Sequence, residues 1–122
     1  MKSDKIKIGV VGVGHLGQHH TKHYNSLKNI DLVGVYDTDP NRGKDIASQY
    51  NTKFYDKPSD LMQICDGISV VTPTEAHYSV AKMAIEDFDC HVFIEKPITE
   101  TIKQSDHLIE LSKTRNKIIQ VG

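Results

Sequence analysis

The hydrophobic period of this chain switches back and forth along its length, and that alternation narrows the available folds more than any single residue does. Continuous apolar runs fall at residues 6–13, 32–36, 68–71, 92–94 and 118–121. They are short and rich in β-branched residues, as strands buried on both faces are, and burial on both faces is the habit of parallel sheets. Helical patterns stand between them. Leu16, His20, Tyr24 and Leu27 mark one stripe, and His77, Ala81, Ala84, Ile85 and Phe88 mark another. A last helix is expected over 99–115, with Ile102, Leu108 and Ile109 inward. Asp39-Pro40 starts a helix through Ile46 and Ala47, with the aspartate as N-cap. Thr72-Pro73-Thr74-Glu75 reads as a capping box, with Thr72 at N-cap, Pro73 at N1 and Glu75 at N3. Residues 53–55 read as a weak short strand and 59–64 as a short helix. Strand and helix thus alternate from end to end, which predicts an α/β fold with a doubly wound parallel sheet.

The most informative segment is Gly12-Val13-Gly14-His15-Leu16-Gly17, a GxGxxG. The pattern alone is weak, but here it follows an expected strand and opens an expected helix. Gly12 permits the tight turn, Gly14 has no Cβ to keep a pyrophosphate away, and Gly17 lets the helix pack close to the strand. The free N–H groups of the helix start favour a diphosphate. Asp37 ends the second strand, 20 residues after Gly17. An acid there accepts hydrogen bonds from both hydroxyls of the adenosine ribose and repels a 2′-phosphate, which favours NAD over NADP. Arg42 and Lys44 stand close by in sequence and pull the other way. The plainer alternative is that the glycines only make a turn and Asp37 only caps a loop. The expectation is therefore a Rossmann fold, three layers αβα, with strand order 3-2-1-4-5-6.

Composition excludes several other classes. The chain has 122 residues and a mass of 13.7 kDa, the size of one domain. Its net charge is −1, and neither half carries a one-signed field, so neither nucleic acid nor an anionic membrane is an expected partner. No apolar run approaches the ~20 residues of a membrane span, and the opening MKSDKIKIGVVG has no signal-peptide core. Cys65 and Cys90 lie 25 positions apart with no CxxC, as expected of buried, reduced thiols in a cytoplasmic protein. No GxSxG is present, and no GK[ST] follows the glycines. His15, His19 and His23 fall at i, i+4 and i+8 beside His20, but no acidic or thiolate third ligand is near in sequence, so no metal is expected. His15 is expected near a phosphate, with His20 and His23 at the polar edge of their helix.

Two later segments narrow the choice. Val70-Val71-Thr72-Pro73-Thr74-Glu75-Ala76-His77 and His91-Val92-Phe93-Ile94-Glu95-Lys96-Pro97, with the glycine turn, the acid and a closing Val121-Gly122, resemble the Gfo/Idh/MocA family. That is the group of glucose–fructose oxidoreductase and inositol dehydrogenase. The resemblance spans residues 6–122 and implies roles residue by residue. Gly12, Gly14 and Gly17, with the backbone at His15 and Leu16, would hold the pyrophosphate, and Asp37 the adenine ribose. Thr72, Pro73 and His77 would line the side nearer the nicotinamide ribose. Glu95, Lys96 and Pro97 would sit by the nicotinamide, with the Lys–Pro peptide often cis. Lys96 would be catalytic, binding the reacting hydroxyl and assisting proton transfer. Physical chemistry agrees, since Lys96 ends a strand where open α/β sheets place ligands, and an ammonium beside a carbinol oxygen stabilises developing negative charge. The alternative is a solvated lysine paired with Glu95 or a neighbour.

The chain departs from the family in length. Members continue into a second α/β domain that supplies most of the substrate pocket and usually an aspartate and a histidine for acid–base work. Residues 1–122 therefore read as the NAD(P)-binding domain alone, without the C-terminal substrate domain. The parent is expected to be a dehydrogenase of a sugar, cyclitol or similar secondary alcohol, and this piece to be inactive by itself. An apolar face left open by the missing domain would favour self-association into a homo-oligomer. The alternative from another class is a stand-alone dinucleotide-binding or sensing module, which has no chemical need of Lys96-Pro97.

Overall fold

The computed structural model describes residues 5–122. In chain order the elements are β1 (Ile6–Val11), α1 (His15–Ser26), β2 (Ile30–Tyr36), α2 (Pro40–Gln49), α3 (Pro58–Met62), β3 (Gly67–Val70), α4 (Thr74–Glu86), β4 (His91–Ile94), α5 (Ile102–Arg115) and β5 (Ile119–Val121). All strand pairs are parallel, and the sheet has five strands in the order β2-β1-β3-β4-β5. The third of the six expected strands, at 53–55, is reduced to one bridge between Phe54 and Val35 on the outer side of β2. Its place in the expected order is right, but it does not extend into a ladder. The rings of Tyr55 and Phe54 instead fill the gaps left by two glycines, since a Cβ at Gly34 or Gly43 would lie 2.4 or 2.3 Å from them. The chain then turns at once into Pro58 and α3.

Burial on both faces is fullest in β3 and the C-terminal half of β1, while β5 is largely exposed. On one face Val10, Val13 and Val35 pack with Ile46 and Ala47 of α2. On the other, Val11, Ile68, Val70, Val92 and Ile94 meet Leu61 and Met62 of α3, Ala81, Ala84 and Ile85 of α4, and Leu108 and Leu111 of α5. The expected stripe of α4 is inward, with His77, Ala81, Ala84 and Ile85 buried and Phe88 partly so. Asp39 caps α2, its carboxylate accepting from the Asn41 and Arg42 amides, and Pro40 follows in the first turn.

Three local expectations are corrected. In α1 the inward residues are Gly17 and Thr21, whereas Leu16 is 50% exposed. The helix is pressed against the preceding loop through its smallest side, and this turns Leu16 outward. α5 starts at Ile102, after Thr101 as N-cap, rather than at 99, and beside the expected Leu108 its inward residues are Leu111 and Ser112. Ile102 lies in the first turn, beyond the sheet, and is 81% exposed, with Ile109 at 42%. The capping box at Thr72 does not form. Pro73 stays extended (φ −55°, ψ 150°) in the N-cap position, so α4 begins one residue later and no side chain caps it.

The α1 side of the sheet is less covered toward β4 and β5. Ile8, Tyr24, Phe93 and Ile118 border a shallow cleft of about 250 Å³ there, and Ile6 and Ile118 are 47% and 66% exposed.

Candidate dinucleotide site

The loop leaving β1 is built around its glycines. Gly12 sits at φ +98°, and a Cβ there would lie 2.6 Å from the Val71 carbonyl oxygen. A Cβ on Gly17 would come within 1.8 Å of the Gly12 carbonyl oxygen. Gly14 differs, because a Cβ there would meet nothing within 4 Å and would project into open space. Gly14 is the N-cap of α1 and offers no side-chain cap. The first helical bond is Gln18 N–H to Gly14 C=O. The amides of His15, Leu16 and Gly17 therefore lack helical acceptors, and the first turn carries no acidic side chain. Free amides, a helix start and an open Cβ position together fit a diphosphate.

These residues open onto a cleft of about 420 Å³ that also touches Tyr36, Asp37, Arg42, Thr72 and Pro73. The Thr72 hydroxyl at its wall is buried with no hydrogen-bond partner, the consequence of the helix starting late.

Asp37 is only 4% exposed and accepts from four donors. Val13 N–H donates to Oδ2 at 2.8 Å, tying the glycine loop to the end of β2 across 24 residues. Asp39 N–H donates to Oδ1 at 2.8 Å, an Asx turn leading into α2. The Arg42 guanidinium donates to both oxygens, at 3.0 and 3.3 Å. The aspartate thus caps a loop and faces the cleft as well. Burial pushes its carboxyl up, but the Arg42 hydrogen bond, the Asp39 and Val13 amides and the Arg42 charge outweigh that push and hold it below the ordinary value. A lowered folded-state pKa stabilises the fold above the unfolded pKa, and that contribution is lost as pH falls through the folded value. The melting-temperature advantage of the wild type over Asp37→Asn is therefore expected to hold near neutral pH and to shrink below about pH 4. Melts at successive pH values check this, and a constant gap would show that the carboxylate charge does not stabilise the fold.

The residues expected at the nicotinamide end gather at the ends of β3 and β4, and they divide into two kinds. His77 is 2% exposed and reaches two backbone carbonyls at 2.9 Å, Pro97 from Nδ1 and Thr72 from Nε2. It fastens the loop after β3 to the loop after β4. Both partners only accept, so a neutral ring donates to one of them and a protonated ring to both. Lys96 and Pro97 are exposed, and the Lys96–Pro97 peptide is cis. The ion pair of Lys96 with Glu95 does not form. Glu95 turns instead to His20, whose Nε2 lies 2.9 Å from Oε2, and among the described residues Lys96 has no ion-pair partner.

His20 is the residue beside the site whose placement sequence reasoning missed. It is not at a solvated edge. The Glu95 carboxylate accepts from Nε2, and Nδ1 meets the Ser69 hydroxyl at 2.9 Å, accepting from it in a neutral ring and donating to it in a protonated one, while the ring leans on Phe93. The histidine joins α1 to β3 and to the strand end that carries Lys96. Its position three residues after Gly17 was the signal available.

His15 borders the cleft, and its exposed ring meets that of His19 edge to face at 4.9 Å; among the described residues no three potential metal ligands converge. Burial pushes the Cys65 thiol up to about 12 and the Cys90 thiol up to about 11, so neither is a thiolate nucleophile near neutral pH. Among the described residues no helix is long and apolar enough to cross a membrane.

Comparison with known proteins bears on this geometry. Residues 6–122 match the GFO_IDH_MocA family model, described as an oxidoreductase family with an NAD-binding Rossmann fold. UDP-N-acetylglucosamine 3-dehydrogenase of Acidithiobacillus ferrooxidans is 32% identical over 117 residues, covering 96% of this chain and 36% of that protein. The scyllo-inositol 2-dehydrogenase (NAD(+)) of Bacillus subtilis is 30% identical over 122 residues, covering 97% and 35%. A solved structure of the Acidithiobacillus enzyme, GnnA, superposes with a TM-score of 0.93 at 32% identity over 97% of this chain and 38% of that one. The chain thus spans a little over a third of the length of these relatives.

Proposed function

The chain belongs to the Gfo/Idh/MocA oxidoreductase family, and from that membership we propose that residues 1–122 are the dinucleotide-binding domain of a dehydrogenase. Its substrate is a secondary alcohol of a sugar or cyclitol, and its cofactor is NAD in preference to NADP. The relatives named for UDP-N-acetylglucosamine and scyllo-inositol support the substrate class. The observation that carries the cofactor reading is the pairing of an open Cβ position at Gly14 with a carboxylate at the end of β2 in one cleft.

In this reading the amides of His15, Leu16 and Gly17 bind the diphosphate and Asp37 binds the adenosine ribose. The nicotinamide, when bound, supplies hydride transfer. Lys96 holds the reacting hydroxyl, stabilises the charge that develops on its oxygen and helps to move its proton. An exposed lysine with no carboxylate partner among the described residues is free for that work, and a pure binding module would not need it. Thr72 and Pro73 line the cleft beyond the diphosphate, while His77 and the His20–Glu95 pair hold the strand ends in place.

Calorimetric titration of the chain with NADH and NADPH tests the cofactor reading. NADH is expected to bind more tightly, and tighter NADPH would reject the preference. Asp37→Ala is expected to cost about 1.5–3 kcal/mol of NADH binding, as for hydrogen bonds to a charged group.

A further inference from the structure

We infer that His20 is a positioning residue for Lys96, acting through the Glu95 carboxylate and tying the lysine to the helix that opens at the glycine turn. The inference rests on the reading of Lys96 given above and adds the residue that holds it in register.

The Lys96 side chain is exposed and, among the described residues, has no ion-pair partner, yet the backbone that carries it is held at three consecutive residues. Glu95 N–H donates to the Val70 carbonyl at 3.2 Å and Lys96 N–H to the Gly122 carbonyl at 2.9 Å. The Pro97 carbonyl lies 2.9 Å from His77 Nδ1. These contacts fix the segment to β3, to the end of β5 and to α4. None of them reaches α1, whose first turn borders the cleft. His20 makes that link, with Nε2 at 2.9 Å from Glu95 Oε2.

The link is built to be stiff. Phe93 and Glu95 are two positions apart, so they stand on the same face of their strand, the one toward α1, and the His20 ring meets both. Its centroid is 5.2 Å from that of Phe93, and Nδ1 is 2.9 Å from the hydroxyl of Ser69, which is fully buried. The His20 and Glu95 side chains are only 17% and 22% exposed, so water competes little for their bond. A lysine is a charge on a flexible four-carbon stem, and it places that charge only as well as its backbone is placed. Through His20 the ammonium and the amides proposed to hold the diphosphate are registered against one helix. A displacement of about 1 Å at a reacting group costs up to about a hundredfold in rate, so this register bears on turnover.

The test is amide hydrogen exchange on this chain, followed by NMR for the wild type, His20→Leu, His20→Gln and Glu95→Ala, after thermal melts. Leucine keeps bulk and loses the donor, whereas glutamine keeps an N–H donor for the carboxylate. His20→Leu is expected to speed exchange at Glu95 and Lys96 about tenfold, as for a lost hydrogen bond to a charged group, with the Val13 and Gly43 amides around Asp37 within about twofold. His20→Gln is expected to stay within about threefold of the wild type at all four. Glu95→Ala cuts the same link from the strand end and decides the matter even where His20→Leu does not fold. Joined to His20→Leu, it is expected to add less than about twofold. In a longer dehydrogenase that carries this domain, His20→Leu is expected to lower turnover about tenfold or more with NADH affinity within about threefold, and His20→Gln to restore most of the loss. Unchanged exchange at Glu95 and Lys96, equal acceleration along the whole chain, or no rescue by glutamine would overturn the inference and leave the dinucleotide reading intact. Turnover that survives Lys96→Met would instead overturn the reading of Lys96 on which the inference rests.

Discussion

Gly14→Ala is expected to leave the chain folded and to remove most of its dinucleotide binding, whereas Gly17→Ala damages the fold itself. Both add one methyl group within four residues of each other, and the difference lies in what the methyl meets. At Gly14 it meets nothing within 4 Å, and the backbone (φ −68°, ψ −159°) is one that alanine accepts. The only folding penalty is a poorer N-cap, about 1 kcal/mol or less. In the cleft the same methyl stands where a diphosphate must approach the backbone. Overlap of that kind costs about 1–3 kcal/mol, up to a hundredfold in affinity. At Gly17 the methyl would lie 1.8 Å from the Gly12 carbonyl oxygen, a backbone atom that cannot turn aside. The helix must lift off the loop, at a cost of about 3 kcal/mol or more and a melting temperature lowered by roughly 10 °C. Melts and NADH titrations of the two variants separate these outcomes. Unchanged binding by Gly14→Ala would mean that no diphosphate lies against α1.

Lys96→Met is the second large effect, and its proper setting is a longer dehydrogenase that carries this domain together with a substrate pocket. Methionine matches the length of the side chain and removes its charge. Turnover is expected to fall about 10²–10⁴-fold, the range for loss of a positioned proton-transfer group, while NADH affinity stays within about threefold. The split follows from placement. Lys96 follows the C-terminal end of β4, is exposed, and is not one of the residues bordering the cleft where Asp37 and the glycine loop meet. Steady-state kinetics beside a fluorescence titration of NADH measure both quantities. Undiminished turnover would remove Lys96 from the chemistry. An equal loss in both would make it a cofactor ligand rather than a catalytic group.

Much of this architecture was legible in the chain because it is written in local patterns. Five continuous apolar runs fall on the five strands, and those of the sheet centre are buried on both faces. The glycine spacing marks the turn after β1, and Asp39-Pro40 marks the start of α2, because caps and turns depend on neighbours a few residues away. The errors arose where packing between residues five positions apart overrode the cap or the apolar stripe that spacing alone suggests. The Thr72 box satisfies every local rule, yet the Thr72 carbonyl is held by His77 and Pro73 stays extended, so the hydroxyl caps nothing. The stripe assigned to α1 followed residue hydrophobicity, but the contact of Gly17 with Gly12 decided which way the helix turned.

The amino-acid order by itself determined the α/β class, the parallel sheet, the glycine turn and the acid at position 37, since periodicity and chain-neighbour geometry specify them. Only the tertiary structure decided what those groups hold. The Val13 amide on Asp37, 24 residues away, and the link from His20 to Ser69 and Glu95, 49 and 75 residues away, appear once the strand ends are brought side by side. A hydrogen bond reaches about 3 Å and takes no account of distance along the chain.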